Sequence, residues 1–166
     1  MGLFGSRSEH GLHCLLVLTR ASEDECLSSR DIAEFLGLSL SFVRKLMTVL
    51  EAGGLIGGRT GRNGGFYLQR TAAEISVLEV VELLEPNKRV FSCQEIRQRC
   101  ALFAGGTPKW VTQRTCEINA VFLQAEKALF DELRNTSLAD IGMAFTNKAP
   151  AEFETKSIEW FNARSS

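Results

Sequence analysis

The chain has 166 residues, a formal net charge of −1 and 45% hydrophobic side chains, enough for one real core plus an extension but not for two large domains. No apolar run approaches the roughly 18 residues needed to span a bilayer, and the early apolar segment Leu12 to Leu18 is short and contains His13, so neither a membrane span nor a secretory signal is expected. Five cysteines, an odd number, in a chain expected to be cytoplasmic point to metal, redox or core use and away from a disulfide scaffold.

In chain order, Arg7 to Ala21 reads as an amphipathic helix carrying Leu12, Leu15, Leu16 and Leu18. Ser28, with Asp31 three positions on, resembles a capping box, and Ile32, Ala33, Phe35 and Leu36 follow at helical spacing until Gly37 stops the helix. Ser39 caps the next helix, in which Val43, Leu46, Met47 and Leu50 repeat at three and four while Ser41, Arg44, Lys45 and Thr48 fall on the opposite face. Gly53 and Gly54 end it. Leu55 to Thr60 and Phe66 to Arg70 read as two strands, joined by a turn built on Gly61, Asn63, Gly64 and Gly65. This order of elements is a winged helix-turn-helix.

Thr71-Ala72-Ala73-Glu74 is expected to open a further helix holding Ile75, Leu78, Val81, Leu83 and Leu84 and ending at Pro86. Residues 87–115 look irregular, with Gly105, Gly106 and Pro108 breaking any long helix. A helix resumes at Cys116, and Ile118, Val121 or Phe122, Ala125, Leu129 and Leu133 form a seam close to a heptad pattern. Such a seam, placed after a domain that has its own core, predicts a dimer helix. Ser137 with Asp140 caps one more short helix, and the tail after Lys148 is expected to be polar and loosely ordered. The fold class is therefore mainly α with a small β-hairpin wing. The units are a winged helix-turn-helix over residues 7–85, a cysteine-bearing loop over 86–115, a dimerisation helix with its short follower over 116–145 and a polar tail over 146–166.

A recognition helix presents its N-terminal residues to base edges in the major groove. Here those are Ser39, Ser41, Phe42, Arg44 and Lys45, with Thr48 one turn on. Hydroxyls bond to bases or phosphates, and an arginine can read guanine with two hydrogen bonds. Arg59 and Arg62 flank the wing tip, where a basic loop reaches phosphates or a minor groove. From Ser39 to Arg70 there are five basic residues against the single acid Glu51, although the chain as a whole is not basic. The expected partner is double-stranded operator DNA.

These pieces together resemble the IscR/NsrR family of bacterial regulators, over roughly residues 7–145. The resemblance rests on Ser39-Leu40-Ser41-Phe42, Glu51-Ala52-Gly53-Gly54-Leu55, Gly61 to Leu68, and Ile75-Ser76-Val77-Leu78-Glu79-Val80-Val81. Within the family the chain is most similar to RsrR-like redox regulators, through Glu9-His10-Gly11-Leu12-His13-Cys14 and Phe91-Ser92-Cys93-Gln94-Glu95-Ile96-Arg97-Gln98-Arg99. The resemblance implies a homodimer with an iron–sulfur cluster, [2Fe–2S] in type, at the subunit interface. Loop cysteines of one subunit and, in RsrR-like members, a Glu and a His from the first helix of the other would hold it. Glu9 and His13 match that pair, and at i and i+4 they share one helix face, about 5–6 Å apart at Cβ.

Cys116, at the head of the dimer helix, matches the family's last cysteine. IscR-like proteins carry three closely spaced cysteines, whereas the gaps between Cys93, Cys100 and Cys116 are six and fifteen residues. The implied ligand set is Glu9, His13, Cys100 and Cys116, with Cys93 a spare ligand or a structural residue. Thiolates suit iron in a cluster, and a His ligand raises its potential. Cys14 reads as a core residue, Cys26 as incidental and His10 as solvated.

The function this supports is a homodimeric repressor whose operator affinity follows the redox state or integrity of the cluster. A thiol-only or non-redox winged-helix regulator, and a metal-free module that contacts another protein, are the alternatives. An enzyme is not expected: no nucleotide loop is present, and Glu9 and His13 have no nucleophile beside them.

Overall fold

The computed structural model describes residues 3–20, 26–61 and 64–164; Ala21, the acidic run at 23–25, and Arg62 with Asn63 at the wing tip lie outside the described residues. Helix α1 (Ser6–Leu18) has no side-chain cap of its own. Its free amides are taken instead by the carboxylate of Glu85, which accepts from Gly5 N at 2.8 and 2.9 Å, Ser8 N at 3.2 Å and Ser8 Oγ at 2.7 Å. A negative charge at a helix N-terminus satisfies both the unpaired N–H groups and the dipole.

Helices α2 (Ser29–Leu36) and α3 (Leu40–Ala52) form the helix-turn-helix with the caps expected from sequence. Ser28 accepts from Asp31 N, Gly37 takes the left-handed conformation at φ 66°, and Ser39 accepts from Phe42 N. Strands β1 (Ile56–Arg59) and β2 (Gly65–Leu68) pair antiparallel from Ile56↔Leu68 to Arg59↔Gly65. Leu27 adds a third backbone segment to this sheet, exchanging hydrogen bonds with Phe66 at 3.0 and 2.9 Å. Gly65 is required there: a Cβ would lie 2.6 Å from the Leu27 carbonyl.

The expectation for Thr71–Glu74 is corrected. Those residues make one capped 3-10 turn (Ala72–Glu74), Ile75 returns to extended backbone, and a fresh cap at Ser76 begins α4 (Val77–Leu84). The interruption has a tertiary cause. Leu138 N donates to Ile75 O and Val77 N to Thr136 O, each at 2.9 Å, so this backbone is committed to a bridge with a segment sixty residues on and cannot continue a helix.

Helix α4 packs against α1, α3 and α6. The core around it is made of fully buried Cys14, Leu15, Ile32, Val43, Met47, Leu50, Leu55, Ile75 and Val80. Residues 86–116 are mostly irregular, with two 3-10 turns and a short helix α5 (Lys109–Thr112) anchored by buried Val111. Helix α6 (Glu117–Asn135) has no fully buried residue along its 19 positions. Helix α7 (Leu138–Thr146) opens with the capping box of Ser137 and Asp140.

The loosely ordered tail expected after Lys148 is also corrected. Ala151–Asn162 forms a helix, α8, whose Phe161 is 8% exposed and joins the main core. Phe153, Ser157, Trp160 and Phe161 share one face at helical spacing. Their aromatics were hidden among polar residues when read singly. Trp160 and Phe161 meet Phe35 of α2 at ring distances of 5.3 and 4.8 Å, and Arg164 pairs with Glu34 at 3.6 Å.

The Glu85 cap carries a testable consequence. Hydrogen bonds from the Ser8 hydroxyl and the Gly5 amide, against the cost of burial, lower its pKa to about 2. A depressed carboxylate stabilises the fold above its unfolded value, and that contribution fades as pH falls from 4.5 toward 2. Glu85→Gln should lower stability by about 1 kcal/mol at neutral pH, the usual worth of a helix cap. Thermal melts should show the gap to wild type closing in acid, and equal melting of the two proteins at neutral pH would refute the cap.

Candidate nucleic-acid interface and thiol site

Helix α3 divides cleanly into two faces. Val43, Leu46, Met47 and Leu50 are buried, whereas Ser39, Ser41, Arg44, Lys45 and Thr48 are exposed on the outer side beside the hairpin. Two of these exposed residues also serve the helix: Ser39 is its cap, and the Thr48 hydroxyl donates to Arg44 O at 3.0 Å. Arg59 is exposed at the end of β1 with its guanidinium 5.0 Å from the centre of the Tyr67 ring, a cation–π contact that aligns it along the wing. Arg62 lies outside the described residues. Arg70, counted with the basic group in sequence, is tied to Glu79 at 2.5 Å.

Phe42 is placed differently from the sequence expectation. Its ring is half-buried, packs on the core and meets His10 of α1 edge to face at 5.2 Å and 87°. His10 is correspondingly not solvated: it faces α3 from a helix that packs on it, and its Nδ1 is buried without a hydrogen-bond partner. Position 10 was legible as lying off the Glu9/His13 face, but what that other face meets is set by tertiary packing.

Glu9 and His13 lie on the exposed face of α1. Cys14, on the opposite face, is fully buried, and burial pushes its thiol up to about 12, so it is an inert core residue. Cys26 is half-buried beside Leu27.

The loop is built around its first cysteine. Phe91 stacks on Phe122 of α6 at 4.2 Å and 14°, and Val90 N donates to the Glu126 carboxylate at 3.2 Å, which fastens this strand of the loop along the first turns of α6. Glu95 takes the left-handed conformation at φ 50° and turns the chain back, its N–H donating to Cys93 Sγ at 3.4 Å. Arg97 donates to the Glu95 carboxylate at 2.9 Å and to the carbonyl of Arg114. That second bond draws the turn toward the residues just before α6, where the Cys93 and Cys116 thiols are close enough to influence one another. The Glu95 amide pulls the Cys93 thiol down, but burial, the Glu95 carboxylate and the Cys116 thiol together outweigh it and hold Cys93 above the ordinary thiol value.

Cys100 is left exposed between the two 3-10 turns. Of the three loop cysteines, the structure thus brings together Cys93 and Cys116 and leaves Cys100 apart. The ligand set implied by the family resemblance names Cys100 beside Cys116 and leaves Cys93 as a spare ligand or a structural residue. The signal that points the other way is Arg97 together with the Phe91 and Phe122 aromatics, and it becomes readable only once α6 is in place. Among the described residues of one chain, no three His, Cys, Asp or Glu side chains converge as a metal site.

Comparison with known proteins agrees with this architecture. Residues 4–143 match the Rrf2 family, described as "Iron-dependent Transcriptional regulator". Protein rrf2 of Nitratidesulfovibrio vulgaris is 29% identical over 136 residues, which cover 82% of this chain and 84% of the relative. The fold is shared with CymR, the global cysteine regulator of B. subtilis, at a TM-score of 0.70 and 18% identity, over 87% of this chain and 98% of that one. It is shared also with IscR of T. potens, at a TM-score of 0.65 and 21% identity, over 90% and 93% of the two chains. No described helix is long and apolar enough to cross a membrane. The exposed basic face on α3, the hairpin wing and the match over most of its length place this chain in the Rrf2 family of transcriptional regulators.

Proposed function

We propose that the protein is a homodimeric operator-binding regulator whose DNA affinity is governed by an iron–sulfur cluster, [2Fe–2S] in type, held between two copies of the chain. Residues Ser41, Arg44, Lys45 and Thr48 present the operator-reading surface, with Ser39 at its N-terminal edge and Arg59 on the wing. The observation that carries the sensing half of this reading is that Arg97, by its bond to the Arg114 carbonyl, draws the Cys93 turn to the head of α6, where Cys93 and Cys116 influence one another. Two adjacent thiols are the donor type that iron in a cluster requires. Glu9 and His13 are exposed on α1, so each chain offers two thiols and, elsewhere, an uncovered carboxylate and imidazole. The ligand set this favours is Cys93 and Cys116 of one chain with Glu9 and His13 of the other, and Cys100 stands as the alternative second thiolate. Bound there, the cluster supplies a one-electron couple at the subunit interface.

The chain's own residues connect that place to the DNA face. Helix α1 carries Glu9 and His13 outward and His10 inward onto Phe42, so a displacement of α1 is passed by ring packing to the first turn of α3. Two recognition helices must sit about one DNA turn apart, so a small shift at this contact changes operator fit.

Helix α6 supports the dimer. Phe122 is covered on one side by Phe91, and Leu129 and Leu133 are half-buried within the chain. By contrast, Ile118 and Val121 are 65% and 67% exposed, and Ala125 and Ala128 continue their stripe at three and four. An apolar stripe on a helix that buries no residue fully is the face for a second copy.

Three measurements test this reading. Arg44→Ala should weaken specific operator binding by roughly 1–3 kcal/mol if it reads a base, whereas Lys45→Ala should weaken binding to all duplexes and reduce the salt slope by about one. Absence of binding to any selected duplex in a gel shift would remove the DNA assignment. Val121→Asp places a charge in the open stripe without touching the Phe91–Phe122 stack, and sedimentation should show monomers; a wild type that is monomeric at micromolar concentration would remove the dimer. Anaerobically prepared protein supplied with iron and sulfide should be coloured, and Cys93→Ala, Cys116→Ala and His13→Ala should lose or alter the spectrum. Cys100→Ala should keep it. A colourless, iron-free wild type would sink the cluster.

A further inference from the structure

We propose that Tyr67 is a positioning residue for DNA binding: seated on Gly57, its ring holds the Arg59 guanidinium in place on the wing before operator DNA arrives. The proposal rests on the operator-binding reading above and adds how the wing cation is aimed.

The antiparallel register sets Gly57 opposite Tyr67 and Arg59 opposite Gly65. Directly opposed residues share a face of a sheet, as do residues two apart along a strand, so Gly57, Arg59 and Tyr67 lie on one face. The other face turns Ile56, Phe66 and Leu68 toward the core. On the outer face position 57 has no side chain, and the Tyr67 ring takes that room. A Cβ on Gly57 would lie 2.5 Å from Tyr67 Cζ and 2.6 Å from its hydroxyl oxygen. Gly57 is buried, although its face of the hairpin is turned away from the core. Laid across the glycine, the ring meets the Arg59 guanidinium 5.0 Å from its centre.

A long side chain beside a turn has many rotamers, and ordering it on binding costs affinity. The ring removes part of that cost in the free protein. It also orients the guanidinium without cancelling its charge, unlike the Glu79 carboxylate that holds Arg70 at 2.5 Å. An aromatic ring over a glycine stabilises a hairpin as well, so Tyr67 serves both the wing and its cation. Substitution separates the two roles. Phenylalanine keeps the cover over Gly57 and the ring face, whereas leucine keeps apolar cover and loses the ring.

The chain has a single tyrosine, so full-length protein grown with 3-fluorotyrosine gives one fluorine resonance. In the protein without DNA that resonance should shift in Arg59→Ala, and a resonance that does not move would refute the contact. Affinity is then read on a duplex that the wild type selects from a random-sequence pool. Tyr67→Leu should weaken binding about two- to fivefold for each wing engaged, the worth of an exposed cation–π contact, and Tyr67→Phe should bind as the wild type does. Gly57→Ala, which pushes the ring off its seat, should reproduce the Tyr67→Leu loss. In an Arg59→Ala background Tyr67→Leu should have no further effect. No loss in Tyr67→Leu, or the same loss with and without Arg59, would overturn the proposal and leave Tyr67 a sheet residue only, with the operator reading intact. A wild type that selects no duplex would remove the operator reading and this one with it.

Discussion

Much of this structure depends on how closely α1 and α4 approach. At Gly11 a Cβ would sit 2.2 Å from Leu84 Cδ1, so the two helices touch backbone to side chain with nothing between them. One residue beyond Leu84, Glu85 closes over the start of α1 and supplies the cap that α1 lacks. Packing and charge thus act at neighbouring points along one short interface. The small residue permits the approach, and the carboxylate fixes the axial position by satisfying directed donors. Because α1 carries Glu9 and His13 on one face and His10 on another, its placement sets where each of these groups lies relative to α3.

Helix α4 is the element to which the two halves of the molecule are fastened. It packs on α1 and α3 in the winged domain and on α6 outside it. The bridge from Ile75 to Leu138 and from Val77 to Thr136 ties its start to the far end of α6, and Phe91 ties the segment beyond it to the near end. Helix α6 is thereby held at both ends while an apolar stripe between them stays open. A helix held this way keeps its free face in a defined orientation, which is what a symmetric pairing of two copies requires. At the other side of the winged domain, α8 lays Trp160 and Phe161 on α2 and adds an aromatic brace to the helix that supports α3.

The thiol site shows how a loop of little regular structure can still be specific. Residues 86–116 contain two 3-10 turns and one helix of four residues, yet Cys93 is positioned by a ring stack, a turn in left-handed backbone and an arginine that spans to Arg114. The stack and the arginine join groups distant in sequence, the turn at Glu95 is local, and together they bring Cys93 to the head of α6. Cys14 illustrates the contrast: it is sealed in the core, where burial pushes its thiol up to about 12, whereas Cys93 and Cys116 are only partly buried.

The helix-turn-helix, its wing and the exposed polar face of α3 were legible in the chain because the signals are local. Ser28, Gly37 and Ser39 cap or stop helices within a few residues of themselves, and the period of Val43, Leu46, Met47 and Leu50 reports which face is buried. The start of α6 at Cys116 and the capping box at Ser137 belong to the same class. What the tertiary structure decided are the features whose partners lie far away along the chain. Thr71–Glu74 is a strong helix start in isolation, but hydrogen bonds to Thr136 and Leu138 override it. Phe42 and His10 are turned inward because α1 crosses α3, and α8 exists because Phe35 offers a surface for its aromatics. The choice of Cys93 over Cys100 as the neighbour of Cys116 is of this kind too. Spacing along the chain measures only the cost of closing a loop, which varies slowly with length, whereas the stack on Phe122 and the Arg97 clamp select which sulfur arrives.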